Sequence, residues 1–376
     1  MFDLDDHYVA LQGTARELAE SVAAHAHEAD GMLEVHPGMA AALKASRLTE
    51  LTVPAAYGGR DPHVDSLAIT VVREQLMRVS AHLDGLFGMQ GIGSFAVSVA
   101  GTDAVREEWL PKVATLDAIA ALALTEPAVG SDLRSITTTL VARGGSLVLD
   151  GHKSFITNAG AADFYSVLCR EGDGYSMAFV PADLSGVSVT VGPRLIAPHI
   201  MGEVVFSGVE IPEHFRIGAP GGAFKLMLAT LATFRVSVAG AAVGLAQGAL
   251  EEAVRHACDR EQFGKKLAEL GPIPHMIGTS WVELEASRML TYRAAALAAQ
   301  DPLGNLDFAS MAKVSATETA GRVVDRCVQI MGRFGLVEGS TIERLYRNAR
   351  PMRIYEGGNE VLTGQLAKRL AKRLGS

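Results

Sequence analysis

Apolar residues recur at intervals of three and four through LQGTARELAESVAAHA, residues 11–26, the spacing that lays one stripe along an amphipathic helix. This texture, rich in Ala, Leu, Glu and His, persists to about residue 115, with Pro37, Pro54, Gly58 and Gly59 as turns between helices. From about 116 to 218 the period changes. SLVLDGHKSFITNA, residues 146–159, alternates apolar and polar positions around Asp150-Gly151, a dipeptide favoured in two-residue hairpins because both positions tolerate positive φ. YSMAFVPA, GVSVTV and EVVFSGVEIP continue with short Val-rich runs, and together they predict a compact β module. After Pro212 and the turn GAPGGAF the helical period returns. Leu231, Phe234, Val238, Ala242, Leu245, Ala249 and Ala253 form a stripe of mostly small residues suited to close helix packing in a bundle. Further helices are expected over roughly 278–300 and 307–332, and after Gly357-Gly358. The predicted organisation is helical over 1–115, β over 116–218 and helical over 219–376.

Composition narrows the classes. In 376 residues, 48% are apolar and 20% charged, so a substantial core can form and general disorder is excluded. A net charge of −8 argues against a nucleic-acid or anionic-membrane surface. No apolar run is expected to reach a membrane span, and the acidic start MFDLDDHYVA lacks the basic flank of a signal peptide. A cytoplasmic protein is expected. Cys169, Cys258 and Cys327 are too few and too scattered for a disulfide scaffold or a cysteine zinc site.

Some chemistries fail on context. GIGSFA, residues 91–96, fits a loose dinucleotide pattern, but its flanks read as helix and no parallel βαβ unit surrounds it, so a helix–helix turn is expected. His25, His27 and Glu28 suggest a metal, yet residues two apart on a helix diverge, and no metal site is expected. There is no G-x-S-x-G elbow, H-E-x-x-H pair or phosphate loop.

Four segments remain. ALALTEPAVGSD, residues 121–132, ends an apolar run in a turn whose N–H groups could face an anion or a polar ring edge, or could be a plain strand exit. In KSFITNAG, residues 153–160, Phe155 and Thr157 share a strand face that could stack on a planar ring, or be routine sheet surface. RHACDREQFGKKL, residues 255–267, ends a helix with Arg260, Gln262 and Phe263, a phosphate-and-purine pairing or an ordinary cap. RIYEGGNEVL, residues 353–362, places Glu356 before two glycines and a helix, as a base over a pocket or as dipole complementation.

In this order the four segments resemble the acyl-CoA dehydrogenase family of flavoproteins, with motifs from about 115 to 376 and helical character alone before that. The resemblance implies a mainly α fold: an α-helical N-terminal domain, a β-barrel-like central domain and a C-terminal four-helix bundle. It implies FAD, contacted by Leu122, Leu124, Thr125 and Ser131, with Phe155 over one ring face and Thr157 near N5. A partner subunit would contribute Arg260, Gln262 and Phe263, with Gln329 and Gly332 nearby, in a homodimer or homotetramer; Gly358 and Glu360 would complete the cofactor contacts. Ser131, Arg235, Tyr355 and Gly357 would meet the substrate, Arg235 at the carrier's phosphorylated arm. Glu356 corresponds to the base that removes the α proton of an acyl thioester while flavin N5 accepts the β hydride. An electron-transfer flavoprotein would be the acceptor.

The departures are specific. Paired glycines of the family appear as Gly332-Arg333, a threonine position is Gly358, a Gln-led helix start is Gly271-Pro272, and a basic-Ser pair is His199-Ile200. The last keeps an acyl-carrier-protein thioester in play beside acyl-CoA. A flavin monooxygenase or oxidase on the same fold also competes, as does a helical interaction protein without cofactor.

Overall fold

The computed structural model describes residues 4–375, so the first three residues of the acidic start lie outside the described residues. Helices α1 (Asp6–Ser21), α2 (Ala26–Ala29), α3 (Pro37–Ser46), α4 (Ser66–Met77), α5 (Ala81–Ala100) and α6 (Asp103–Ala114) come first. Strands β1 (Ala120–Ala123), β2 (Thr139–Arg143), β3 (Ser146–Thr157), β4 (Phe164–Glu171), β5 (Gly174–Pro181), β6 (Val187–Val191), β7 (Met201–Pro212) and β8 (Arg216–Ile217) follow. Helix α7 (Ala223–Asp259), the short strands β9 (Glu261–Gln262) and β10 (Lys265–Lys266), and α8 (Ile273–Gln300), α9 (Leu306–Met331), α10 (Thr341–Ala349) and α11 (Asn359–Leu374) complete the chain. The fold class is that expected, helical segments flanking a central sheet region in sequence. By contacts the chain forms two compact units: one of residues 32–65 and 85–234, the other of the chain up to Gly31, Ser66–Asp84 and everything from Arg235 onward.

In the first unit the sheet runs β6-β7-β3-β2-β4-β5-β8, with β1 added parallel to β4. Strand β4 alternates in the manner of a strand covered on both faces. Phe164 and Leu168 point into a cluster with Met177, Phe179, Ile217 and Leu110 and Val113 of α6. Tyr165, Val167 and Cys169 point into a second cluster with Leu147, Leu149, Ile156, Val204 and Phe206.

Two local expectations fail in this unit. Asp150-Gly151 is not a turn: β3 runs through it, and the β2–β3 hairpin closes at Gly144-Gly145, both with positive φ. The irregularity at Asp150-Gly151 is a register shift against β7, and a Cβ on Gly151 would stand 2.3 Å from Thr138 Oγ1. GIGSFA is not a helix–helix turn either, since it lies within α5. A Cβ at Gly91 would meet the Phe234 ring at 2.3 Å and one at Gly93 the Ala120 backbone at 2.8 Å. Those glycines serve close approach.

In the second unit α7 packs on α4. Cβ atoms at Gly240, Gly244 and Gly248 would stand 2.6, 1.9 and 2.4 Å from the carbonyl oxygens of Thr70, Glu74 and Arg78. The three glycines recur every four residues, a groove that lets the backbones touch. Helix α4 is buried along its whole length, and its charges are paired: Arg73 with Asp84 at 2.6 Å and Glu74 with Arg288 at 3.0 Å. Helix α7 also corrects the reading that no run reaches membrane length. By length and composition it could span one, but 78% of that apolar window is buried, so its apolar character serves packing.

Candidate active site

The first two motifs meet in the sheet unit. Lys153, fully buried on β3, donates to the Leu124 carbonyl at 3.0 Å and to Glu126 Oε1 at 3.0 Å. The Ser154 N–H donates to the Thr125 carbonyl at 2.9 Å and so ties the two motifs backbone to backbone. Glu126 also accepts from the N–H and hydroxyl groups of Thr137 and Thr138, at 2.6 to 2.9 Å. Burial alone would push the Glu126 carboxyl up, but these hydrogen bonds outweigh it and hold the group down at about 2. The buried pair explains why a Glu follows Thr125 and a Lys precedes the Phe155 segment; neither stands out in the sequence. Leu122, Leu124 and Thr125 are half-buried and Ser131 is exposed on the turn beyond. A second register shift against β7, between Lys153 and Ile156, throws Phe155 outward at φ +54 and 54% exposure, with Ile156 buried and Thr157 half-buried after it. The Ser154 hydroxyl is buried without a partner among the described residues.

In the helical unit the loop between residues 354 and 358 carries Glu356 in the left-handed region, at φ +55, a conformation that costs a non-glycine residue about 1 kcal/mol or more. Two buried cations pin it. Arg235 Nε donates to the Glu356 carbonyl at 3.0 Å and its Nη1 to Ser310 at 3.2 Å. Lys313 Nζ donates to the Gly357 carbonyl at 2.8 Å and to Asn359 Oδ1 at 2.8 Å. Asn359 in turn donates to Glu318 at 2.8 Å, and Glu318 pairs with Arg353.

Glu356 as a whole is half-buried, but its carboxylate Oε2 is shielded from solvent and has no hydrogen-bond partner among the described residues. Burial raises its pKa above the usual carboxylate range, opposed by the charges of Arg235, Arg73 and Lys313. Burial likewise lowers Lys313, with Arg235 adding to the effect, to about 8. A shielded carboxylate with a free lone-pair edge and a raised proton affinity is equipped to take a proton. Tyr355 is 39% exposed beside it, Gly357 takes φ +99, Gly358 caps α11, and Glu360 is exposed in that helix's first turn.

The third motif departs from expectation. Helix α7 stops at Asp259, and Gln262 belongs to a two-strand hairpin, β9 with β10, turning at Phe263 (φ +52) and Gly264 (φ +75). Two successive left-handed residues are what a tight hairpin turn requires. Phe263 at its tip is 95% exposed. Arg260 stacks on Phe334, its guanidinium carbon 5.2 Å from the ring centre, which brings the root of the hairpin to the turn after α9. Gln329 is exposed near the end of α9, and Gly332, at φ +57, terminates that helix.

Sequence models of the acyl-CoA dehydrogenase N-terminal, middle and C-terminal domains match residues 5–117, 121–209 and 221–371. A probable acyl-CoA dehydrogenase of Mycobacterium leprae is 34% identical over 96% of this chain and 94% of its own. A cyclohex-1-ene-1-carbonyl-CoA dehydrogenase of Geobacter metallireducens is 37% identical over 82% of this chain and 83% of its own. The solved structure of butyryl-CoA dehydrogenase from Megasphaera elsdenii, 28% identical, superimposes with a TM-score of 0.93 over 98% of this chain and 99% of that one. The chain belongs to the acyl-CoA dehydrogenase family.

As a family member it is an oxidoreductase of the type that acts on CH–CH donors, and the family is flavin-dependent. The residues present fit a flavin dinucleotide. Phe155 and Phe263 are exposed aromatics held at positive φ, the Ser154 hydroxyl lacks a partner, and Arg260 has no carboxylate counterion among the described residues. Arg235, expected at the phosphorylated arm of the carrier, is 6% exposed and committed to the Glu356 carbonyl and Ser310. Its guanidinium is thereby held against the carboxylate loop.

Proposed function

We propose that this acyl-CoA dehydrogenase uses FAD to desaturate an acyl-CoA thioester between its α and β carbons, with Glu356 as the base. The observation that carries the reading is the Glu356 carboxylate: shielded at Oε2, unpartnered there, and set on a loop pinned at successive carbonyls by Arg235 and Lys313. Bound FAD supplies the acceptor for the β hydride as Glu356 takes the α proton.

The chain's own groups supply the rest. The shielded setting strengthens the carboxylate as a base and keeps competing water away. The charges of the three neighbouring cations oppose that rise. The face built by Leu122, Leu124, Thr125, Ser131, Phe155 and Thr157 would hold the flavin, its shape set by the buried Lys153–Glu126 pair. Arg260, Gln262 and Phe263 would reach the FAD of a neighbouring subunit, with Gln329 and Gly332 beside them and Gly358 and Glu360 near the flavin. That division makes a homodimer the smallest competent assembly, and a homotetramer two of these. Electrons then pass to an electron-transfer flavoprotein.

The test is Glu356→Gln. The variant is expected to bind FAD and remain yellow, while a panel of acyl-CoA thioesters that bleaches the wild-type flavin leaves it oxidised. Bleaching at the wild-type rate would remove Glu356 as the base.

A further inference from the structure

A single carboxylate on α9 holds both ends of the loop that carries Glu356. Glu318 accepts through Oε2 from Arg353, where the loop begins, and through Oε1 from Asn359 Nδ2, where it ends, the latter at 2.8 Å. Asn359 is 4% exposed, and its Oδ1 accepts from Lys313 Nζ at 2.8 Å. Lys313 then returns to the loop at the Gly357 carbonyl, also at 2.8 Å. Burial would raise the Glu318 pKa, but its bonds from Asn359 and Arg353 bring it below the usual carboxylate range, so it is ionised at neutral pH.

The polarity of this circuit restricts what can stand at 359. Lys313 can only donate and ionised Glu318 can only accept, so the group between them must accept on one side and donate on the other. A primary amide does both; a carboxylate of the same shape does not. Between the tied ends, Glu356 and Gly357 take φ of +55 and +99, and the left-handed setting of Glu356 persists only where its surroundings enforce it. We propose that Asn359 and Glu318 are positioning residues for Glu356, closing its loop at both ends and so fixing the backbone that presents the carboxylate. The inference rests on the proposed role of Glu356 as base.

Asn359→Asp sets two carboxylate oxygens across the 2.8 Å that a hydrogen bond now spans. Adding Glu318→Gln restores a donor facing that carboxylate and returns the total charge to that of wild type. Both proteins are compared with wild type by hydrogen–deuterium exchange of residues 353–358 without substrate. Stopped-flow flavin reduction follows, using whichever acyl-CoA bleaches the wild-type flavin fastest. In Asn359→Asp, exchange of the segment should speed up about tenfold and reduction at saturating acyl-CoA should slow about tenfold, with the half-saturating concentration within about twofold of wild type. The double variant should recover both to within about threefold. If Asn359→Asp does not fold, Asn359→Ser, shorter and uncharged, takes its place with the same expected losses. Unchanged exchange or an unchanged rate in the single variant overturns the positioning role, as does a loss confined to half-saturation or a double variant no better than the single one. Glu356→Gln reducing its flavin at the wild-type rate refutes instead the proposed function beneath it.

Discussion

Lys313 offers the sharpest test of how the loop is held. It is fully buried on α9, and burial lowers its pKa from the ordinary 10.5 to about 8. At 1.36 kcal/mol per unit, keeping it charged at neutral pH costs the folded state about 3 kcal/mol. Lys313→Met removes that cost but strips the Gly357 carbonyl and Asn359 Oδ1 of a donor, a loss of about 1–3 kcal/mol for each group left unsatisfied. The two effects oppose each other, so stability at neutral pH should change by no more than about 3 kcal/mol.

Activity should not be spared in the same way. With Lys313 gone, Arg235 alone holds the left-handed backbone at Glu356. If about 2 kcal/mol of loop strain then relaxes, the aligned fraction, and kcat with it, falls roughly 30-fold. The pH signature is separate. Between about 8 and 10.5 the unfolded chain retains a proton that folded Lys313 has released, so wild-type stability gains from this group as pH rises; below about 8 both states hold the proton and the contribution is flat. Urea unfolding across this range, compared with Lys313→Met, isolates that slope, and stopped-flow flavin reduction at saturating acyl-CoA gives the rate. A variant that reduces its flavin as fast as wild type would refute the positioning role.

Three further outcomes follow from the same geometry. Gly244→Ala places a methyl group 1.9 Å from the Glu74 carbonyl, so α4 and α7 must separate at a cost of about 1–3 kcal/mol or more, read as a lower Tm. Glu126, held at about 2, contributes at most about 3 kcal/mol, less whatever solvent screens, that is present above its ordinary 4.5 and lost as pH falls towards 2; Glu126→Gln should flatten that part of the acid-stability curve. Because burial raises the Glu356 pKa, the rate of flavin reduction should climb with pH through a midpoint above the usual carboxylate range, and a midpoint at or below that range would contradict the burial argument.

Much of the architecture is legible from period alone. The returns of the three-and-four spacing anticipate α7, α8, α9 and α11, and the alternating runs anticipate β3, β5, β6 and β7. Helix α10 keeps that spacing through buried Ile342, Leu345 and Ala349, but nine residues are too few for the period to stand out. The Asp150-Gly151 hairpin fails because Gly144-Gly145, a few residues earlier, satisfies the same turn chemistry. The α7 stripe is visible in sequence through its apolar members, while the contact with α4 is made by the glycines at 240, 244 and 248. Lys313 leaves a readable signal, since it occupies a core position of α9 between buried Ala309 and Ala316. Lys153 leaves none, because the bulges in β3 break the alternation that would place it inside.

Local order along the chain therefore determined the helices, the strands and the motifs that carry the family likeness, Glu356 among them. Tertiary structure alone decided what surrounds that carboxylate. Arg235 reaches its carbonyl from 121 positions away, and Lys313 reaches the next carbonyl from 44. Periodicity reports which face of an element is apolar, a property of neighbours in sequence. Which buried cation meets which carbonyl depends on how distant elements pack, and only that packing brings Arg235 to the loop.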